Sequence, residues 1–288
     1  MANAATTPKL SAMNYRVVGP LGNGAGSTIL QISDKSGGGK RYALKVVRRL
    51  GPDDDIYLNQ AKIEYDIVRK LNHPAIVEIY DMRQKRSWFR VAGVELLMEY
   101  VDGKTLDEIE APDMGQLVLI FVQVASALNH MHRRGVFHGD LKPSNIMLTR
   151  TGKVKLIDFG TAWTRGEEKN RVQGTPQYIA PEQVTEKVVD EKTDVYNFGA
   201  TMYRMFTGRY ANQGIPKAGE GGIHKMPKPD QVNPKIPGPL STLIVACLER
   251  NPEKRPASIF DVQSELTAVA RFLGLEDGDL HGVADDDD

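Results

Sequence analysis

The sequence predicts an α+β chain in two parts, a small antiparallel sheet with one main helix followed by a larger, mainly helical region. Three observations predict it. Short β-branched runs bounded by glycines crowd the first hundred residues, and apolar stripes at helical spacing dominate after residue 117. Between residues 138 and 160 a hairpin pattern brings two polar clusters side by side.

A chain of 288 residues can hold one large or two modest domains around a sizeable core. Its 37 basic and 37 acidic residues cancel, so no global charge favours nucleic acid or an anionic membrane. The single cysteine, Cys247, sits in the helical pattern LSTLIVACLER and reads as a small buried residue; no intrachain disulfide can form. Residues 1–14 lack the apolar core of a signal peptide, and the longest apolar run, Leu117 to Val122, is too short to span a bilayer. These features predict a soluble, cytoplasmic protein.

Order is expected from about Tyr15. Tyr15 to Leu21, Thr28 to Ile32 and Tyr42 to Arg48 read as three successive antiparallel strands. Between the first two, Gly22-Asn23-Gly24-Ala25-Gly26-Ser27 would let backbone N–H groups approach a phosphate with few side chains in the way. Ile56 to Leu71 reads as a helix whose stripe is Ile63, Ile67, Val68 and Leu71, with Glu64 on its margin. Ile76 to Tyr80 and Val94 to Met98 complete five strands, and Glu99 to Gly103 breaks the pattern. Leu117, Ile120, Phe121, Val124, Leu128 and Met131 trace a long helix with a basic last turn and a stop at Gly135.

The central stretch is HGDLKPSNIMLTRTGKVKLIDFG, His138 to Gly160. Asp140, Lys142 and Asn145 share an irregular loop, and Asp158 returns after a hairpin of Ile146–Leu148 and Val154–Ile157. Asn145 and Asp158 are hard oxygen ligands suited to Mg2+, Asp140 can accept a hydroxyl proton, and Lys142 can meet a phosphate. Downstream, Asp194 opens an all-round apolar helix, DVYNFGATMYRMFTG, and Leu240 to Arg250 and Ile259 to Leu273 are two closing helices.

The pattern D-L-x-x-x-N followed by D-F-G closely resembles the catalytic and metal loops of eukaryotic-type (Hanks-type) serine/threonine protein kinases, here of the bacterial branch. Lys45 in Tyr42-Ala43-Leu44-Lys45, the glycine-rich stretch, Gly174-Thr175-Pro176-Gln177-Tyr178-Ile179-Ala180-Pro181-Glu182 and Asn251 to Pro256 agree with that family. The resemblance implies a bilobal protein kinase-like fold over 15–273, with an N-lobe of 15–98, a hinge of 99–103 and a C-lobe of 104–273. Residues 1–14 and the acidic tail 274–288 are expected to be disordered.

By the same resemblance, ATP with Mg2+, or Mn2+ in its place, is the expected cofactor. Its pocket would draw on Leu21, Gly22, Asn23, Gly24, Ala25, Gly26, Ser27, Ile29, Ala43, Lys45, Met98, Glu99, Val101 and Met147. Asn145 and Asp158 would hold the metal; Asp140 and Lys142 would act on the transferred group; Lys45 would pair with Glu64. Thr175 would bond near Asp140 and Lys142, Glu182 would pair with Arg255, and Asp194 would bond the loop around His138. Protein serine or threonine hydroxyls are the implied acceptors, with no nucleic acid and no membrane partner.

Two departures stand out. Ser27 replaces the third glycine of the family's loop, and Gly139 replaces the arginine that usually pairs with a phosphorylated activation segment. Activity is therefore expected not to depend on phosphorylation of that segment. Gly139 also matches the His-Gly-Asp of small-molecule kinases of the aminoglycoside phosphotransferase type, but Lys142, Phe159-Gly160, the GTPQYIAPE run and Arg255 argue against them. A pseudokinase that only binds nucleotide is the other alternative; the presence of Lys45, Asp140, Asn145 and Asp158 argues against it.

Overall fold

The computed structural model describes residues 7–24, 26–36, 38–51, 54–87, 90–110, 112–167, 172–186, 188–212 and 226–275. Ala25 of the glycine-rich stretch, residues 213–225 of the Gly/Pro-rich segment and the tail from 276 onward lie outside them. The chain forms two compact units, one of residues up to Asn72 with Ile76–Asp102 and Asp158–Gly160, the other of His73–Ala75, Gly103–Ile157 and residues from Thr161 onward. The division falls inside the expected hinge, at 102/103, but it is not a single cut: Asp158–Gly160 belong with the first unit and His73–Ala75 with the second.

The first unit is built on β1 (Tyr15–Gly24), β2 (Ser27–Asp34), β3 (Arg41–Arg48), α1 (Asp55–Val68), β4 (Ile79–Ser87) and β5 (Arg90–Glu99). All five strands pair antiparallel in the order β1-β2-β3-β5-β4. Register places Ile29 opposite Lys45 and Ala43 opposite Met98, so the candidate nucleotide residues of three strands lie on neighbouring positions.

Three expectations need correction here. Order begins before Tyr15: Leu10 is only 1% exposed, packs with Ile32, Tyr42, Leu44 and Leu97, and donates its N–H to Asp81 at 2.8 Å. The fourth strand starts at Ile79 and runs through the polar Asp81 to Ser87, while Ile76 and Val77 are buried ahead of it. Just before them, and within the second unit, the Ala75 carbonyl accepts the Leu156 N–H at 2.8 Å. Finally, α1 buries Leu58, Ala61, Glu64, Ile67 and Val68, and Ile63 faces outward. A stripe counted on apolar residues alone misses the phase, because a glutamate sits in the middle of the buried face.

The second unit holds β6 (Gly103–Thr105), α2 (Met114–His132), β7 (Val136–Phe137), β8 (Ile146–Thr149), β9 (Val154–Leu156), β10 (Trp163–Thr164), α3 (Pro181–Thr185), α4 (Glu191–Thr207), α5 (Pro229–Val232), α6 (Gly238–Cys247) and α7 (Ile259–Phe272). Strands β6-β8-β9 form one small antiparallel sheet and β10-β7 another. Asp113 caps α2 through the Gln116 N–H at 2.8 Å, and Ser258 and Asp261 cap α7 reciprocally. Asp190 caps α4 by accepting the Thr193 N–H at 3.0 Å, so the sequence expectation that Asp194 opens this helix is corrected: Asp194 lies one turn inside. With the cap supplied by Asp190, the Asp194 carboxylate serves another use. By length and composition α2 could cross a bilayer, contrary to the reading from continuous runs, and more than half of it is buried. Its core side chains include Phe121, which meets Phe198 and Phe206 of α4 with ring centroids 5.4 and 5.6 Å apart.

Candidate active site

In the first unit, β3 delivers Lys45 and α1 delivers Glu64 to one point. Lys45 Nζ lies 2.7 Å from Glu64 Oε2 and 3.4 Å from Asp158 Oδ1. Glu64 is fully buried, and the Phe159 backbone N–H lies against the same carboxylate. Burial alone would lower the lysine's pKa, but the charges and hydrogen bonds of Glu64 and Asp158 outweigh it and hold the ammonium well above its ordinary value. Burial pushes the Glu64 carboxyl up, and Lys45 pulls it back only in part. The lysine is thus a fixed positive charge with donor capacity left over.

Asp158 is the described non-glycine residue with positive φ, at 65°, and it stands beside Phe159, which is fully buried. Such strain persists where surrounding packing imposes it and clusters at functional groups. The side chain of Asp158 remains half exposed. Gly22, Asn23 and Gly24 pair with Ile29, Thr28 and Ser27 across the hairpin. Gly26 has φ +68°, and a β-carbon there would collide with the Tyr57 ring, so glycine is required by both conformation and space. Met98 and Ala43 are buried, Ile29 and Val101 half-buried, and Leu21 exposed. The Glu99 N–H is committed to the Glu78 carbonyl at 2.9 Å.

In the second unit, β7 leads into the loop from His138 to Asn145, and the loop is held from behind. Buried Asp194 accepts the His138 N–H on Oδ2 and the Gly139 N–H on Oδ1, both at 2.8 Å, and also meets His132 Nε2 at 2.7 Å. Burial would raise the Asp194 pKa; His132 and these N–H groups reverse that and hold it below the ordinary carboxylate value. The expected bonds of Asp194 to this loop are therefore present.

Asp140 is fixed on both oxygens. Oδ1 accepts the Thr175 N–H at 2.7 Å, and Lys142 Nζ lies 3.0 Å from Oδ2. Lys142 also donates to Thr175 Oγ1 at 2.9 Å. Asn145 donates its amide N–H to the Asp140 carbonyl at 2.9 Å, and its amide oxygen is a hard donor of the type that could hold a magnesium ion. Met147 lies on β8 between Thr105 and Lys155. A carboxylate aimed by an N–H and an ammonium is suited to orient a hydroxyl, and the ammonium to meet negative charge beside it.

The segment after Asp158 is tied down by groups far apart in sequence. Arg255 grips Glu182 at 2.7 and 2.9 Å, as expected from their motifs. Thr193 adds a bond to Glu182 Oε1 at 3.1 Å, and Lys192 holds the carbonyl of Pro256 at 2.9 Å. These last two, together with His132 and Gln183, are invisible to motif reading: each is an ordinary polar residue on a helix until the fold gives it a partner. Gly139 has φ +72°, and a β-carbon there would stand 3.2 Å from Val189 Cγ1 and 3.3 Å from the Thr161 carbonyl.

Comparison with known proteins finds the same family from independent ground. The protein kinase domain family matches residues 15–266. A serine/threonine-protein kinase PknB of Mycobacterium tuberculosis is 33% identical over 243 residues, 79% of this chain and 38% of its own length. A probable serine/threonine-protein kinase of Clostridium acetobutylicum is 30% identical over 257 residues, 85% of this chain and 38% of its own. A probable serine/threonine-protein kinase PknB of Lactococcus lactis is 28% identical over 284 residues, 93% and 43%. The chain spans about two-fifths of the length of these relatives.

Proposed function

This chain belongs to the protein kinase family, and from that premise we propose that it transfers the gamma phosphate of ATP to serine or threonine hydroxyls of protein substrates. The observation that carries the reading is the Asp140 carboxylate, fixed at 2.7 Å by the Thr175 N–H and at 3.0 Å by Lys142. Asp140 would orient the incoming hydroxyl and take its proton late in the transfer. Lys142 would offset charge building on the transferred group. From the first unit, Lys45, held by Glu64, would grip the nucleotide phosphates. Asn145 and Asp158 offer the hard oxygens that Mg2+, or Mn2+, requires; the ion, when bound, neutralises phosphate charge.

The acceptor class follows the names of the relatives, all serine/threonine-protein kinases. Lys142 and Thr175, joined at 2.9 Å, support it, because that pair belongs to the serine/threonine pattern. A cytoplasmic location accords with the single cysteine.

The reading includes independence from phosphorylation of the segment after Gly160. At position 139 no cation awaits a phosphate. Thr161 donates its hydroxyl to the His138 carbonyl at 3.4 Å, and Thr164 pairs with Val136 in the β10-β7 ladder, so both threonines have structural partners. Phosphoamino-acid analysis of a generic protein labelled from ATP tests the acceptor class: label on serine or threonine is expected, and label confined to tyrosine would refute it. Turnover of the Thr161→Ala, Thr164→Ala double variant tests the rest. It should match the unaltered chain within about threefold, and a tenfold loss would refute the independence.

A further inference from the structure

Gln183 follows the Glu182 that Arg255 grips, and its side chain is fully buried with every hydrogen-bonding site in use. Its amide nitrogen donates to the Gly139 carbonyl at 2.8 Å and to the Gln173 carbonyl at 3.2 Å. Its amide oxygen accepts the Ala180 N–H at 2.9 Å and the Asn197 Nδ2–H at 3.1 Å. Asn197 extends the connection by donating to the Tyr178 carbonyl at 2.8 Å. A carboxamide has two donor hydrogens and one oxygen able to accept twice, so four partners exhaust it.

The four partners are not a random set. Gly139 adjoins Asp140 in the catalytic loop. Gln173 and Ala180 bracket the run that contains Thr175, whose N–H fixes Asp140 Oδ1 at 2.7 Å. One side chain therefore joins both ends of the substrate-side run to the residue beside the proton acceptor, and to α4 through Asn197. It does so on the backbone carbonyl of the very residue, Gly139, that lacks the cation for a phosphate.

We propose that Gln183 is the positioning residue that holds the 173–180 run in register with Asp140, doing by neutral hydrogen bonds what a phosphate held by an arginine would otherwise do. This deepens the kinase reading above and rests on it. Gly139 cannot easily acquire the alternative device, because its φ of +72° and the nearness of Val189 and the Thr161 carbonyl both oppose a side chain. Fully buried, Gln183 acts through Gly139 and through the run that carries Thr175.

The test uses Gln183→Glu and Gln183→Leu in the full chain, read at pH 8 and at pH 6 relative to the unaltered chain. The glutamate is isosteric, but when ionised it has no donor for Gly139 and Gln173 and sets a negative charge against their carbonyls. Protonation restores one donor, and burial favours the protonated form as pH falls. At pH 8, kcat/KM for a peptide acceptor should fall about tenfold or more with KM for ATP unchanged, and at pH 6 most of the Glu deficit should disappear while the Leu deficit stays. Hydrogen exchange of amides 172–182 should rise in both variants at pH 8 and return towards the unaltered rate only for Glu at pH 6. Full activity of both variants would overturn the proposal, and so would a Glu deficit as insensitive to pH as that of Leu. Should the unaltered chain transfer no phosphate, the kinase reading fails by itself; exchange still decides the tether, and unchanged exchange at 172–182 would overturn it.

Discussion

Arg255 and Glu182, 73 residues apart, form a two-point ion pair in which both side chains are almost wholly withdrawn from water, Nη1 to Oε1 at 2.7 Å and Nη2 to Oε2 at 2.9 Å. The Arg255 guanidinium also donates to the carbonyls of Glu249 and Lys192, each at 2.7 Å, and stacks over Tyr196 at 4.9 Å. Every donor face has an acceptor, so the pair is compensated despite its burial. Removing one partner strands the other. Arg255→Leu or Glu182→Leu should each lower stability by about 3–5 kcal/mol. The double leucine variant should recover part of that loss, because no buried charge remains. Urea midpoints of the three variants decide it, and single variants as stable as the unaltered chain would refute it.

His132 gives the chain a stability that depends on pH in the alkaline direction. Burial would lower its pKa, but Asp194 at 2.7 Å and Glu191 at 3.3 Å raise it to about 9. Unfolded, a histidine loses its proton near 6.5. Between these values the unfolded chain binds fewer protons, so the contribution is complete below about pH 6.5 and is lost as pH rises through about 9. The urea midpoint should fall across that window, and His132→Gln should flatten the fall while lowering stability at pH 6. An equal alkaline fall in the variant would contradict the assignment.

Leu10 packs under the sheet of the first unit, against Ile32, Tyr42, Leu44 and Leu97. Its carbonyl also accepts from Arg83 Nη1 at 3.4 Å, and Arg83 is itself held by buried Glu95 at 2.6 Å. Leu10→Ala should cost about 2–4 kcal/mol, measured by denaturant titration. A loss below about 0.5 kcal/mol, the level of an ordinary surface substitution, would mean that this segment does not hold in solution.

Gly139→Arg restores the residue that most of the family carries, and it should fail to restore a switch. The new β-carbon meets Val189 and the Thr161 carbonyl at a positive φ, a conformation costing a non-glycine residue about 1–2 kcal/mol. Thermal unfolding should shift down, and turnover should fall or stay level both before and after phosphatase treatment. A gain in turnover that phosphatase removes would show that the missing arginine alone kept the chain from phosphate control.

Much of the site was legible because its chemistry fixes residue types at short spacings. Asp140, Lys142 and Asn145 stand within six residues, and Asp158 returns across one hairpin; no tertiary knowledge is needed to group the first three. The Glu182–Arg255 and Asp194–loop bonds came from resemblance, and the structure bears both out. What stayed hidden depends on partners brought from afar. Glu64 occupies the buried face of α1 against Lys45, a tertiary partner, so apolar periodicity alone points Ile63 inward where the structure turns it outward. Leu10 is a lone apolar residue in a polar terminus, with no period to reveal it. β4 is mostly polar and takes its strand form from pairing with β5, a tertiary cause that β propensity does not carry. Gln183 is an unremarked glutamine until four partners close around it.

The central claim is that Asp140 and Asp158 together serve phosphoryl transfer to protein. Its most direct test is label transfer from gamma-labelled ATP with Mg2+ to a generic protein, with Asp140→Asn and Asp158→Ala beside the unaltered chain and nucleotide binding followed in all three. The account predicts incorporation on serine or threonine by the unaltered chain, reduced about 10²- to 10⁴-fold by Asp140→Asn with nucleotide still bound, and absent with Asp158→Ala. Nucleotide binding without transfer by the unaltered chain, or transfer undiminished in Asp140→Asn, would contradict it.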